Sequence, residues 1–125
     1  MPTREIPRQE WKGFLERYSR EHQEALATVE VLGAELGDQT EAREVPLVGL
    51  SLEEKGSEAG SLEILLGTRP DAHLTHSIAS PEHLFVRTGE GGEEDLEIES
   101  ADGTRTLFRI RAASLSGGQA GPGAR

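Results

Sequence analysis

At 125 residues and 13.5 kDa the chain fits one domain, and with 34% hydrophobic and 29% charged residues it has apolar material for one core, not two. It contains no cysteine, which excludes a disulfide scaffold and thiolate metal sites, and no apolar run near the ~18 residues that cross a bilayer. The net charge of -10 is uneven: residues 1–22 carry five basic and four acidic side chains, residues 23–99 four and 18, and residues 100–125 four and one. A body this anionic opposes binding to nucleic acid phosphates and to anionic membranes. Met1 to Glu10 is charged, holds two prolines and lacks the apolar core of a signal peptide, so a cytoplasmic place is expected.

Pro7 precedes Arg8-Gln9-Glu10-Trp11, a pattern that suits a helix start. Trp11, Leu15, Tyr18 and His22 then recur at helical spacing with Phe14 beside them, while Lys12, Glu16, Arg17 and Arg20 fill the other sides. This predicts a helix over about Arg8 to His22, with Gly13 as its weak point at about 1 kcal/mol relative to alanine. Trp11, Phe14 and Tyr18 are three of the chain's five aromatic residues, so this helix must dock on the rest of the fold.

From Ala25 the period changes to two. Val29 and Val31 oppose Thr28 and Glu30, and Glu41 to Leu52 forms a long extended stretch. Pro46 within it cannot donate a ladder hydrogen bond and implies an edge or a bulge. Val48, Leu50 and Leu52 are expected on one face after it. Glu53 to Gly60 reads as a polar loop and Gly67 to Asp71 as a turn. Leu62, Ile64 and Leu66 make the next apolar face, then Leu74, His76 and Ile78; Pro81 interrupts the run and Leu84 to Arg87 resumes it.

The last hairpin joins Leu96–Ser100 to Thr104–Ile110 through Ala101-Asp102-Gly103. A two-residue Asp-Gly turn would set Glu97 opposite Phe108. A three-residue loop with left-handed Gly103 instead aligns Ile98 with Thr106 and Leu96 with Phe108 inside. Outside, it aligns Glu99 with Arg105 and Asp95 with Arg109. The three-residue loop is the expectation. Beyond Ala113, Ser-Leu-Ser-Gly-Gly-Gln-Ala-Gly-Pro-Gly-Ala-Arg cannot bury enough to order itself.

No catalytic motif survives inspection. Leu115-Ser116-Gly117-Gly118-Gln119 matches the signature pentapeptide of ABC-type ATPases, but no phosphate-binding G-x-x-x-x-G-K-[ST] accompanies it. His73, His76 and His83 lie within eleven residues. On a strand, however, the odd offset of the first two points them to opposite faces, which opposes a metal site. Thr75, Ser77 and Ser80 neighbour these histidines and Asp71, yet no nucleophile elbow is present. The acidic run from Glu90 to Glu97 lacks calcium-loop spacing and reads as a solvated hairpin loop.

Three stretches carry a family resemblance. One is Thr3 to Trp11 running into Phe14, Ser19, Arg20 and His22. Another is Thr28 to Gly33 followed by Glu41 to Leu47. The third is Leu74 to Ile78 with the closing Leu96 to Thr104. On these residues the chain resembles a bacterial family of unknown function, domain of unknown function 5335, over nearly its whole length before the tail. The resemblance implies no activity, and no residue role comes with it.

The expected fold is α+β: an N-terminal amphipathic helix packed on an antiparallel β-sheet of about five to seven strands, curled or closed as a small barrel. It would span residues 1–113, with a disordered tail at 114–125. The expected function is that of a non-catalytic cytoplasmic protein-interaction domain. Its partners would be proteins, further copies of itself among them, with no cofactor, metal, nucleic acid or membrane. The alternative is a small-molecule-binding domain or enzyme whose site lies around Arg69, Asp71, His73 and His76, where the titratable variety is greatest.

Overall fold

The structure is a computed structural model that describes residues 3–33, 37–53, 60–67, 73–91 and 93–111. The chain runs through β1 (Thr3–Glu5), a 3-10 turn (Arg8–Glu10), α1 (Trp11–Glu21), β2 (Leu26–Gly33) and β3 (Gly37–Leu52). It continues through β4 (Leu62–Leu66), β5 (Leu74–Ile78), β6 (Pro81–Thr88), β7 (Glu94–Ser100) and β8 (Arg105–Arg111). All pairings are antiparallel, in the order β1-β6-β7-β8-β2-β3-β4-β5. No helix among the described residues is long and apolar enough to cross a membrane.

The N-terminal helix forms where its apolar spacing predicts. Trp11, Phe14, Leu15 and Tyr18 are buried and His22 is the C-cap, its N–H bonded to the Tyr18 carbonyl at 3.0 Å. Three polar anchors attach the helix to different parts of the sheet. The Trp11 indole N–H donates to the Ile6 carbonyl at 2.8 Å, and Ile6 in turn donates its N–H to Leu84 of β6 at 2.8 Å. The Tyr18 hydroxyl donates to the Glu94 carbonyl of β7. Ser19 Oγ accepts the Leu50 N–H of β3 at 2.8 Å and lies 2.7 Å from the Leu15 carbonyl, to which it donates. Buried polar groups that find partners in this way fix the helix orientation as well as its contact.

Two expectations about the sheet need correction. It has eight strands because Thr3–Glu5 adds a three-residue strand along β6, a segment too short and too charged to show strand periodicity. And it is open, with β1 and β5 as its edges, rather than closed or strongly curled into a small barrel. Closure would need pairing between the two sides. Only Ala79 and Ser80 separate β5 from β6, yet β6 pairs with β7 and β1.

Pro46 marks the bulged alternative, not an edge. It lies where β3 passes from β2 to β4, and the register shifts between Leu47 and Gly49. The shift places Leu47 and Leu50 both in the core, so the expected Val48–Leu50–Leu52 alternation fails at Val48, which is only half-buried. A bulge inserts one residue and reverses the facing of all that precede it. Glu44, at φ 53°, donates its N–H to the Thr28 hydroxyl at 3.2 Å, so the irregular backbone remains satisfied. Residues 54–59 and 68–72, where a polar loop and a turn are expected, and residues 112–125, with the ATPase-like pentapeptide, lie outside the described residues.

The last hairpin adopts the three-residue loop. Leu96 pairs with Phe108, Ile98 with Thr106 and Glu99 with Arg105, and Gly103 takes φ 89°. Asp102 accepts the Thr104 N–H at 2.9 Å, which holds its carboxyl below the usual carboxylate range.

Two glycine replacements are expected to have opposite effects in urea denaturation. Gly13→Ala, in open space on the helix, should stabilise by about 0.5–1 kcal/mol, and Gly103→Ala, forced into the left-handed region, should destabilise by about 1 kcal/mol. Tyr18→Phe should lose about 1–2 kcal/mol with an unchanged denaturant slope, because the Glu94 carbonyl then lacks its donor.

Candidate functional site

Of the four residues singled out around positions 69–76, Arg69 and Asp71 lie outside the described residues. His73 is exposed just before β5. His76 is half-buried on the core-facing side of β5, opposite Ile64 of β4. His83 sits elsewhere, on β6, where Nδ1 meets Glu5 Oε2 of β1 at 2.7 Å and the ring stacks on Phe85 at 6.0 Å. The histidine-rich segment is therefore not gathered, and among the described residues its side chains form no metal-ligating group. Ser77 Oγ meets Glu63 Oε2 at 3.4 Å, so its nearest partner is a carboxylate rather than a histidine base.

What the segment does build is a sheet edge. β5 pairs with β4 along its whole length, with Leu74 opposite Leu66, His76 opposite Ile64 and Ile78 opposite Leu62. Among the described residues no strand pairs with its other side. Leu74, Thr75, His76, Ser77 and Ile78 include no proline, no glycine, no lysine and no acid, the features that usually blunt an edge. Leu74, on the core-facing side, is 42% exposed and is the one exposed large hydrophobic among the described residues. The opposite edge, β1, has three residues, two of them charged, and is followed by Pro7.

A second cluster forms where the end of α1 meets β7. Glu21, His22 and Glu94 bring one ligand atom each within 4.8 Å of one another. His22 Nε2 lies 3.3 Å from Glu94 Oε1, and the Arg17 guanidinium reaches Glu94 at 3.6 Å as well as pairing with Glu21. The Tyr18 and His22 rings pack with centroids 4.3 Å apart. Burial, with the Asp95 and Glu94 charges, pushes the Tyr18 phenol well above its ordinary range, so it remains a hydrogen-bond donor. Burial also raises Asp95, while the Ile110 N–H and Arg109 work against that rise. A metal would meet one imidazole and two carboxylates here, but the Arg17 charge already occupies both carboxylates. The cluster does structural work: it clamps the helix end to β7.

The sequence missed this clamp because Glu94 is 72 residues from His22, and no local spacing announces such a pair. It also missed the exposure of Leu74, since apolar alternation looks the same on a central and an edge strand. Two shallow open grooves flank α1, each of about 400 Å³; one is lined by Ser19, Gly49 and Leu50, the other by Ile6, Gly13 and Phe14. Glu16, Arg20 and Ser51 also line the first, where the Ser19 hydroxyl is already engaged by the Leu15 carbonyl and the Leu50 N–H.

The family model described as "Family of unknown function (DUF5335)" matches residues 2–116, and the chain belongs to this family. It is 30% identical over 113 residues to an uncharacterized protein of Aquifex aeolicus (strain VF5), covering 90% of this chain and 96% of that one. No solved structure matches it.

The His83–Glu5 contact joins β1 to β6 and has a pH signature. The Glu5 carboxylate raises the His83 pKa above its ordinary value near 6.5. A raised folded-state value stabilises fully below the unfolded value and loses that contribution as pH climbs through the folded one. Both side chains are about half exposed, at 44% and 50%, so the effect on stability is small after solvent screening. An NMR titration should place the His83 midpoint above 6.5, and Glu5→Gln should return it toward 6.5.

Proposed function

We propose that this protein is a non-catalytic cytoplasmic interaction domain that holds other protein through the free edge of β5, by addition of an extended strand. The observation that supports it most is the difference between the two sheet edges. β1 is short, charged and followed by proline, while β5 is uninterrupted, has no Asp, Glu, Lys or Arg and carries the exposed Leu74. An unpaired row of backbone N–H and C=O groups binds an extended chain by the same ladder that joins β5 to β4. Alternate side chains then meet Leu74 and Ile78 on one face and Thr75 and Ser77 on the other.

His83 lies on β6, away from His73 and His76 of the β5 segment, and Arg17 already pairs with both carboxylates of the Glu21–His22–Glu94 cluster.

A phage-displayed library of random twelve-residue peptides, panned against dilute full-length protein, tests the proposal. Selected peptides should alternate apolar or β-branched residues and should protect residues 73–79 from hydrogen exchange. Leu74→Lys should weaken their binding by about tenfold or more, the loss of one buried apolar anchor and the gain of an edge charge. Peptides that protect a different surface, or an edge that selects none, would sink the reading.

A further inference from the structure

The β5 sequence has an internal symmetry that identifies its occupant. Read in either direction, Leu74-Thr75-His76-Ser77-Ile78 is apolar, hydroxyl, His, hydroxyl, apolar. We infer that the free edge of β5 pairs with β5 of a second copy of this chain, antiparallel about a twofold axis through His76, joining two eight-stranded sheets into one. This rests on the reading of β5 as a strand-accepting edge and names its partner.

In that register Leu74 lies opposite Ile78 of the second copy, Thr75 opposite Ser77, and His76 opposite His76. Leu74, His76 and Ile78 share the face that carries Leu66, Ile64 and Leu62 on β4, so the apolar face continues across the junction. Leu74 is 42% exposed because it has Leu66 on one side and no described strand on the other. Ile78 of the second copy would fill that side. Thr–Ser and aliphatic pairs are both favourable across antiparallel strands. A one-residue slip would set the apolar residues against hydroxyl-bearing ones and face them to opposite sides. A two-residue slip would leave part of the strand unpaired.

Charge selects this edge too. Each copy carries -10, so close approach is opposed almost everywhere. The acid nearest in register to β5 is Glu63, opposite Ser77. In the proposed pairing the two Glu63 residues stand about 16 Å apart, three strand spacings across and two residues along, well beyond the screening length of about 8 Å. The same operation on β1 would set Arg4 against Arg4, with like charges in direct opposition. An isologous interface must be self-complementary, and of the two edges only β5 is.

A five-residue edge buries less than a standard interface, so a weak dimer is expected, detectable by sedimentation between about 10 µM and 1 mM. The chain has no cysteine, so any disulfide reports an introduced one. His76→Cys places two thiols directly opposite each other across the axis, within reach of a disulfide or a short bis-maleimide. It should form covalent dimer about tenfold or more faster than Thr40→Cys, an exposed control on β3, because pairing raises the effective thiol concentration. Leu74→Lys should leave the circular dichroism unchanged and the protein monomeric across the range. The pairing is overturned if the unsubstituted chain stays monomeric throughout, or if His76→Cys crosslinks no faster than the control. If displayed peptides still bind β5 in that case, only the second copy as occupant has failed. A monomer whose residues 73–79 are already protected from exchange would show the edge covered by the chain's own segments, which overturns the strand-accepting edge as well.

Discussion

The Tyr18 phenol ties the helix to the sheet, and much of the fold depends on that tie. Its ring is fully buried against Phe14, His22 and Phe108, and its hydroxyl gives its proton to the backbone carbonyl of Glu94. A hydroxyl buried this deeply must keep a partner, since an orphaned one costs about 1–3 kcal/mol. Its partner is main chain, so the bond fixes the start of β7 relative to the helix whatever side chains lie nearby. The carboxylates of Asp95 and Glu94 push the phenol further from ionisation, which protects the bond over the whole physiological pH range.

The other two anchors complete the constraint. Trp11 reaches β6 through Ile6, and Ser19 reaches β3 at Leu50. An eleven-residue helix is only about 16 Å long, too short to select its orientation from apolar contact alone. Three directed bonds to three strands supply what the apolar stripe cannot. Ser19 does so beside the Leu47/Gly49 register shift, so the helix also stabilises the place where β3 passes between partners. Arg17, Glu21, His22 and Glu94 then contact one another at the helix end.

The side of the sheet away from the core is a charge lattice. Arg109 pairs with Glu30 of β2, Arg111 with Glu44 of β3, and Arg105 approaches Glu97 of β7 at 3.6 Å. Such exposed pairs add little individually, but together they place most of the basic side chains of the last strand on acidic neighbours. β5 is the contrast, with no Asp, Glu, Lys or Arg, and in the strand order it is the opposite edge from β1.

Local chemistry determined the parts whose cause is local. Helical spacing from Trp11 to His22 placed the helix, and the Asp102-Gly103 pair with cross-strand charge matching set the register of the last hairpin. Membership of the family was legible in the same stretches. Tertiary structure decided the rest. The bulge beside Pro46 reversed the facing of Val48, because one inserted residue changes strand parity without any change in composition. The eighth strand exists only because β6 offers an edge to three residues, two of them charged, that could not form a strand alone. The sheet stays open because β6 takes β1 and β7 as its neighbours, and β5 is left at the other end of the strand order. The Tyr18 tie belongs to this second class too: the sequence supplies the aromatic, but only folding brings a carbonyl 76 residues away to its hydroxyl. Periodicity reports which way a side chain faces, and it carries no record of which distant backbone will be there to meet it.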